Sequence, residues 1–517
     1  MAIAQLCEMA THLGPALLKT GEPIDTNGVC EMLERLPHIE KRPISISWNG
    51  KRLVGNQGDS VAAALYAQGI RAFTKSRKFH TARGLSGSFS AGHVACVNGL
   101  PHCRLDQTPA KDGDHVEMEN VWPSPRFDMM NAARLLPRKM VRAGFEHPKI
   151  IPDGTWAWSL WEKFLWNMAG EADPPAARNA PLDTAREIEA DTLVIGAGPA
   201  GVKAAQNATG SVVLISRSAQ PLPSLTDGKH PALPPNVVVL RGHEVYGVFD
   251  NARLVAAAPT NPFEPAVLIK PKNIVFATGA RSVPPLVCGA ALPGVLEARA
   301  ALEMAELYGV PPGRRTVVIG TQRGQGVAQK LAELGCNIVE FFDVAQVERI
   351  AGSKSVKALY AQGRKIACDS VVHAGPWRAD PSLPFQASAD GFTRLLAGDL
   401  PEHVSLAGAC CEASELVSFG RALSRDALVC PCMDVTVDEV LDLIASGVTH
   451  IEELKRRTTC GMGLCQGVPC WDYLAAVIAD ATGQSLSAIG HPTYRPPRSA
   501  LTIGQAAGMA DITEVEA

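Results

Sequence analysis

Leu193-Val-Ile-Gly196-Ala-Gly198-Pro199-Ala200-Gly201 reads as a strand that runs into a Gly-rich turn and opens a helix. Each glycine has a reason. Gly196 permits the tight turn, Gly198 lets the backbone close on a pyrophosphate, and Gly201 lets helix and strand pack closely. The stretch therefore predicts a dinucleotide-type α/β fold. Around it, residues 192–195, 211–215, 273–276 and 316–319 are continuous apolar runs, as in strands covered by helices on both faces. The strand after the turn ends at Ser216-Arg217, where an acidic residue would normally grip a ribose diol. A guanidinium there favours phosphate, unless Arg217 is simply a surface arginine. A second unit, Val317-Val-Ile-Gly320-Thr-Gln-Arg-Gly324-Gln-Gly326, lacks the regular G-x-G-x-x-G spacing and argues for the fold more than for a ligand. Asp343, ending the next strand, either holds a ribose or caps a loop.

The chain has 517 residues, enough for roughly three or four domains. Lys and Arg number 49 against 52 Asp and Glu, a net charge of −3 that disfavours nucleic acid or anionic membranes as the main partner. No apolar run is long enough for a membrane span, and the first residues carry no signal-peptide pattern. A cytoplasmic location is the expectation. In that setting 14 cysteines stand out, because disulfides are rare in a reducing compartment and metal ligation becomes the leading explanation.

Half of those cysteines fall between Cys410 and Cys470. The informative pairs are Cys430-Pro-Cys432 and Cys460-Gly-Met-Gly-Leu-Cys465. Between them, Thr436-Val-Asp-Glu439 and Thr449-His-Ile-Glu452 are capping-box patterns, so two helices joined at Gly447 can bring the pairs together. Four thiolates at one point suit a [2Fe–2S] cluster or a structural zinc ion. Lys455, Arg456 and Arg457 are placed to stabilise the thiolates, and Cys470 reads as a packing thiol.

The flanks are plainer. Residues 41–120 read as a small sheet-plus-helix domain, with hairpin turns at Asn49-Gly50 and Asn98-Gly99 and with Asp59 capping an Ala-rich helix that stops at Gly69. Residues 155–168 hold four of the 8 tryptophans, with Trp158, Trp161 and Leu165 on one helical face, packed either on their own domain or at a contact between subunits. Residues 171–189 read as a linker. The basic run from Arg71 to Arg83 is either a solvated face or a docking or anion site. His491-Pro-Thr-Tyr-Arg-Pro-Pro-Arg498 reads as an extended surface tail.

Several motifs carry resemblances. Phe276-Ala277-Thr278-Gly279-Ala-Arg-Ser-Val-Pro284 looks like the Ala-Thr-Gly turn of two-dinucleotide flavoprotein reductases. Val404-Ser-Leu-Ala-Gly408-Ala409-Cys410 resembles their flavin-binding Gly-Asp turn, with Ala409 where Asp is usual. The Pro-rich loop 218–236 is short where that family carries more chain beside the flavin. The resemblance implies nucleotide contact by Gly196, Gly198, Pro199, Ala200, Gly201, Ser216, Arg217, Ala277, Thr278, Gly279 and Gly408, with FAD, ATP and NAD(P) all open as occupants. The cysteine segment, including Gly461-Met-Gly-Leu-Cys-Gln-Gly467, resembles the bacterioferritin-associated ferredoxin type of [2Fe–2S] domain; this implies Cys430, Cys432, Cys460 and Cys465 as metal ligands.

Together the pieces resemble the large (alpha) subunit of heteromeric FAD-dependent amine and imino-acid oxidoreductases, the group of heterotetrameric sarcosine oxidase, opine oxidase, proline and hydroxyproline dehydrogenases and hydrogen cyanide synthase. Ser76-Arg-Lys-Phe-His80-Thr-Ala-Arg83-Gly84, Trp122-Pro-Ser-Pro-Arg-Phe-Asp128 and Val248-Phe-Asp-Asn251 support it. The organisation implied is an N-terminal extension (1–40), a degenerate [2Fe–2S] ferredoxin-like α+β domain (41–150), a Trp-rich segment and linker (151–189), a disulfide-reductase-like FAD/NAD(P)-type α/β domain (190–427), a small helical [2Fe–2S] domain (428–488) and a tail (489–517). In such complexes an FAD-containing beta subunit oxidises the C–N bond, FMN sits at the interface between subunits, and further small subunits occur. No catalytic residue is assigned to this chain.

Two departures matter. Where relatives carry N-terminal cluster cysteines, this chain has Leu85, Ser90, His93 and Asp106, with Cys96 and Cys103 off register, so one cluster is expected rather than two. A folate-binding domain after the cysteine domain, and tetrahydrofolate-coupled chemistry with it, is likewise expected to be absent. Two rivals remain: a self-sufficient NAD(P)H-dependent flavoprotein reductase, and a non-enzymatic assembly subunit with structural zinc.

Overall fold

The computed structural model describes residues 32–87, 94–135, 155–156, 158–159, 184–218, 233–261, 264–388, 400–411, 424–463, 465–468, 470–498 and 501–513. Trp161, Leu165, Ser90, His93 and most of the linker reading lie outside them.

The N-terminal unit is a five-stranded sheet in the order Lys51–Asn56, Pro43–Trp48, His115–Glu117, Val94–Val97, Leu100–Arg104. Its two hairpins turn at the residues expected: Asn49 and Gly50 have φ of 50° and 78°, Asn98 and Gly99 of 52° and 79°, and Asn-Gly tolerates two successive positive φ values. The helix Val61–Ala67 buries all seven of its residues against this sheet. Its cap differs from expectation: the Ser60 hydroxyl accepts from Ala63 N, while Asp59 receives the Arg35 guanidinium at 2.5 Å and Asn56 N at 2.8 Å. Ser60 holds the cap position and takes the first-turn amide, so Asp59 instead ties in the incoming chain.

The first α/β unit is a seven-stranded sheet. Val237–Arg241, Val212–Ser216, Arg186–Ile195 and Val267–Phe276 run parallel, followed by antiparallel Leu254–Pro259 and His243–Phe249. Val267–Phe276 is its spine. It pairs with Arg186–Ile195 from end to end, and its far edge carries Leu254–Pro259 below and parallel Val404–Leu406 above. That crossing brings three strand ends, at Ile195, Phe276 and Leu406, to one edge. Ligands bind at such carboxyl ends in open α/β sheets.

The second unit is a parallel sheet in the order Val295–Glu297, Ser370–Ala374, Thr316–Gly320, Ile338–Asp343, with a three-stranded antiparallel sheet beside it. Helix Ala298–Tyr308 is capped by the buried Glu297 carboxylate and stopped by left-handed Gly309. An antiparallel ribbon, Ala280–Ser282 with Trp377–Ala379, joins the two units. Leu296, Ala298, Leu302 and Val372 of the second unit share one core with Ile46, Trp48 and Leu65 of the N-terminal sheet. The N-terminal unit is thus packed into the molecule through a common core.

The chain after Arg425 forms a short hairpin, Leu428–Cys430 with Val435–Thr436, and helices Val437–Ala445, Ile451–Thr458 and Cys470–Thr482. Gly447, φ 97°, turns the first helix into the second as the sequence suggests. Thr436 caps the first helix through Glu439 N. His450, not Thr449, caps the second by accepting from Glu452 N through Nδ1. The tail differs from the surface reading. Residues 491–498 are irregular, but Tyr494 is buried against Trp471 (ring centroids 4.8 Å apart) and Phe385 (5.6 Å). Arg498 reaches Glu244 at 3.3 Å and also pairs with Asp380.

Candidate functional site

Two sites emerge, a cleft on the α/β units and a knot of thiols at the C-terminal unit. In the cleft, helix Pro199–Asn207 starts at Gly198 with no side-chain cap, so its first N–H groups face a cavity of about 680 Å³. A Cβ on Gly196 (φ 107°) would stand 2.3 Å from the Ala277 carbonyl, and one on Gly201 would stand 1.8 Å from the Gly196 carbonyl. Only glycine fits either place. Gly198 has open space on that side, the approach a phosphate needs.

Gly196, Gly198, Pro199, Ala200, Ser216, Arg217, Ala277, Thr278 and Gly279 line the cleft. Gly201 and Gly408 stand behind the lining; a Cβ on Gly408 would meet Ala200 Cβ at 2.4 Å. Ala409 is also on the wall, and its methyl offers no acceptor. Arg217 is half-buried rather than loose on the surface. Burial, then the neighbouring Arg104, hold it below the ordinary arginine value against the pull of Glu244 and Glu303. Asp343 takes the loop-cap option: its carboxylate accepts from Ala345 N at 2.9 Å, while its own N–H donates to Gln346.

Sequence reasoning missed the charged girdle of this cleft. Arg104 pairs with Glu244 at 2.9 Å and Asp106 at 3.1 Å. Glu303, beside them, is pushed up by burial against the pull of Arg217 and Arg299. Glu244 lies 140 residues from Arg104 and 254 from Arg498, its other partner, so no local pattern announces the girdle. The first unit, the second unit, the N-terminal domain and the tail all meet here.

The thiol knot is built by tight turns. Thr459, φ 63°, ends helix Ile451–Thr458, and the Thr458 hydroxyl accepts from Cys460 N at 3.2 Å. The loop then wraps the Trp471 indole: a Cβ on Gly461 or Gly467 would fall 1.8 Å or 2.2 Å from that ring. A Cβ on Gly463 would lie 2.5 Å from Cys432 Sγ. These glycines are what let the loop close over the cysteines.

Cys430 Sγ lies 3.6 Å from Cys432 Sγ, and the thiols of Cys430, Cys460 and Cys470 lie within 4.8 Å of one another. Cys465 touches Cys432 and Cys470. Five thiols therefore converge, including Cys470, read from the sequence as packing. Cys430 and Cys465 are held well below the ordinary thiol value by S–H donors from their neighbours. Cys432, Cys460 and Cys470, the donors in those contacts, are pushed well above it. Two thiolates on one tetrahedral ion, each at about 2.3 Å, stand roughly 3.7 Å apart. The Cys430–Cys432 spacing fits that, and the donor set is soft and buried. Two of the three basic residues do something else: Lys455 bonds Glu452 at 3.1 Å and lies 5.3 Å over the Trp471 ring, and Arg457 bonds Glu453.

Residues 71–83 dock this unit instead of facing solvent. Arg71 is buried, with its guanidinium 3.7 Å over the Tyr66 ring. Arg77 N donates to the Cys432 carbonyl at 3.0 Å, and Lys78 Nζ to the Thr458 carbonyl at 3.1 Å. Arg83 donates to the Pro431 carbonyl and pairs with Asp434 at 2.6 Å. From the other side Arg281 and Arg378 hold Asp472, at 2.9 and 3.1 Å.

Fold and site define a protein of two nucleotide-type α/β units, with a small sheet domain before them and a small helical, thiol-rich domain after them. The family described as 2Fe-2S iron-sulfur cluster binding domain matches residues 41–121, and the sarcosine oxidase A3 domain matches residues 425–509. The chain is similar over 90% of its length to the alpha subunit of sarcosine oxidase from Rhizobium meliloti (strain 1021), at 27% identity, and spans 58% of that relative. The opine oxidase of the same organism has an A subunit that is 31% identical over 16% of this chain and 18% of its own length. The crystal structure of L-proline dehydrogenase from P. horikoshii superposes with a TM-score of 0.67 at 21% identity, covering 92% of this chain and 99% of that one, and so shares the fold. Among the described residues no helix is long and apolar enough to cross a membrane.

Proposed function

We propose that this chain is the electron-handling alpha subunit of a heteromeric flavin-dependent amine or imino-acid oxidoreductase acting on CH–NH bonds. The convergence of the thiols of Cys430, Cys432, Cys460 and Cys465, two of them buried and two half-buried, is the observation that carries it. A [2Fe–2S] cluster, when bound there, exchanges single electrons. The chain's own part is to surrender the thiol protons, to exclude water with Trp471 and the 460–467 loop, and to fix Cys432 through Arg77 N. The N-terminal domain is read as scaffold. The positions where relatives carry N-terminal cluster cysteines hold Leu85, Ser90, His93 and Asp106 here.

In the cleft the Gly198 turn and helix N-terminus receive a pyrophosphate, and Arg217 favours a further phosphate over a bare ribose diol. FAD, ATP and NAD(P) all have the pyrophosphate this needs. Hydride removal from the carbon next to nitrogen is assigned to an FAD-containing beta subunit, of opine, proline or sarcosine type, with FMN at the interface. Co-purification from native cells, followed by extraction of bound nucleotides, tests this. A flavin-bearing partner supports the reading. A single chain that oxidises NAD(P)H unaided overturns it in favour of a self-sufficient reductase.

A further inference from the structure

Four thiolates complete a [2Fe–2S] or zinc site, yet five thiols meet here. Cys430, Cys432 and Cys465 each have a distinct place: Cys430 and Cys432 face each other at 3.6 Å, and Cys465 closes on Cys432. Cys460 and Cys470 crowd one place: both touch Cys430 and each other, the three sulfurs lie within 4.8 Å of one another, and Cys470 reaches Cys465 as well. Both are fully buried, at 0% and 1% exposure. They arrive from opposite ends of one loop, which wraps the Trp471 indole through Gly461 and Gly467.

We propose that Cys460 and Cys470 share one coordination position, either thiol completing the set with Cys430, Cys432 and Cys465. The thiol that takes the position gives up its proton; the other stays protonated beside it. This rests on reading the knot as a metal–thiolate centre.

The test uses the full chain, anaerobically reconstituted with iron and sulfide, in five forms: wild type, Cys430→Ala, Cys460→Ala, Cys470→Ala and the double Cys460→Ala/Cys470→Ala variant. Metal and acid-labile sulfide are measured per chain, with EPR after dithionite and far-ultraviolet circular dichroism as a check on folding. Each single variant at 460 or 470 is expected to keep the wild-type metal content with a shifted EPR line shape. The double variant, folded like wild type, is expected to lose the metal as Cys430→Ala does. Metal loss in either single variant, or retention in the double, overturns the sharing. Serine versions of the same variants repeat the comparison where an alanine version does not fold. Wild-type protein that takes zinc and no iron ends the electron-transfer reading instead, and the same single-against-double comparison on zinc still decides the sharing.

Discussion

The N-terminal sheet domain, which matches a 2Fe-2S cluster-binding family, and the C-terminal helical domain both hold more than one cysteine. They differ in where the sulfur atoms go. Cys96 lies on Val94–Val97 and Cys103 on Leu100–Arg104; both thiols are raised, and Cys103 donates to the Leu100 carbonyl at 3.3 Å. In the C-terminal domain five cysteines from a hairpin, a loop and a helix start reach one point. A strand fixes side-chain direction by alternation, whereas glycine turns let loop sulfurs converge. The comparison therefore turns on loop geometry rather than cysteine count. The docking run 71–83 binds the two domains together, so one serves as support for the other.

The largest effect should come from the thiols themselves. Cys430→Ala is expected to abolish metal binding, while Cys103→Ala leaves it unchanged; metal content of the two purified variants decides it. Reactivity should differ next. In metal-free protein the half-buried Cys465 is expected to be alkylated faster than Cys103 at neutral pH. Cys103, with its pKa at about 12, should react slowly there and about tenfold faster with each unit of rising pH, since only the thiolate attacks. Mass mapping after timed labelling measures both rates, and equal rates at neutral pH would erase the distinction.

A smaller effect probes the bond between the domains. Arg83→Ala leaves the buried Asp434 carboxylate without its guanidinium partner and is expected to cost about 3–5 kcal/mol by chemical denaturation. The smallest effects are the helix caps. Ser60→Ala and Thr436→Ala, one in each domain, should each cost about 1 kcal/mol, with metal content changed in neither.

Much of this was legible in sequence where local chemistry dictates it. The Gly196 turn, the apolar strands, both Asn-Gly hairpins and the Gly447 turn need particular residues at particular spacings, and they fold accordingly. Caps were legible only to within one residue, because Asp59 and Ser60, or Thr449 and His450, compete for the same amides. The rest depends on distant partners. Arg83 finds Asp434, Arg498 finds Glu244, and Tyr494 finds Trp471 only after three units have packed. Cys470 reads as a packing thiol because Cys430, Cys432, Cys460 and Cys465 already make up a set of four; the loop around Trp471 brings it to the same knot.

The central claim is that the C-terminal knot is a redox iron–sulfur centre and the N-terminal domain is not. Low-temperature EPR of the dithionite-reduced full chain tests it most directly. The account predicts a single [2Fe–2S] signal that disappears in Cys430→Ala and persists in Cys103→Ala. An EPR-silent, colourless protein with one zinc per chain, or a signal that survives in Cys430→Ala, would contradict it.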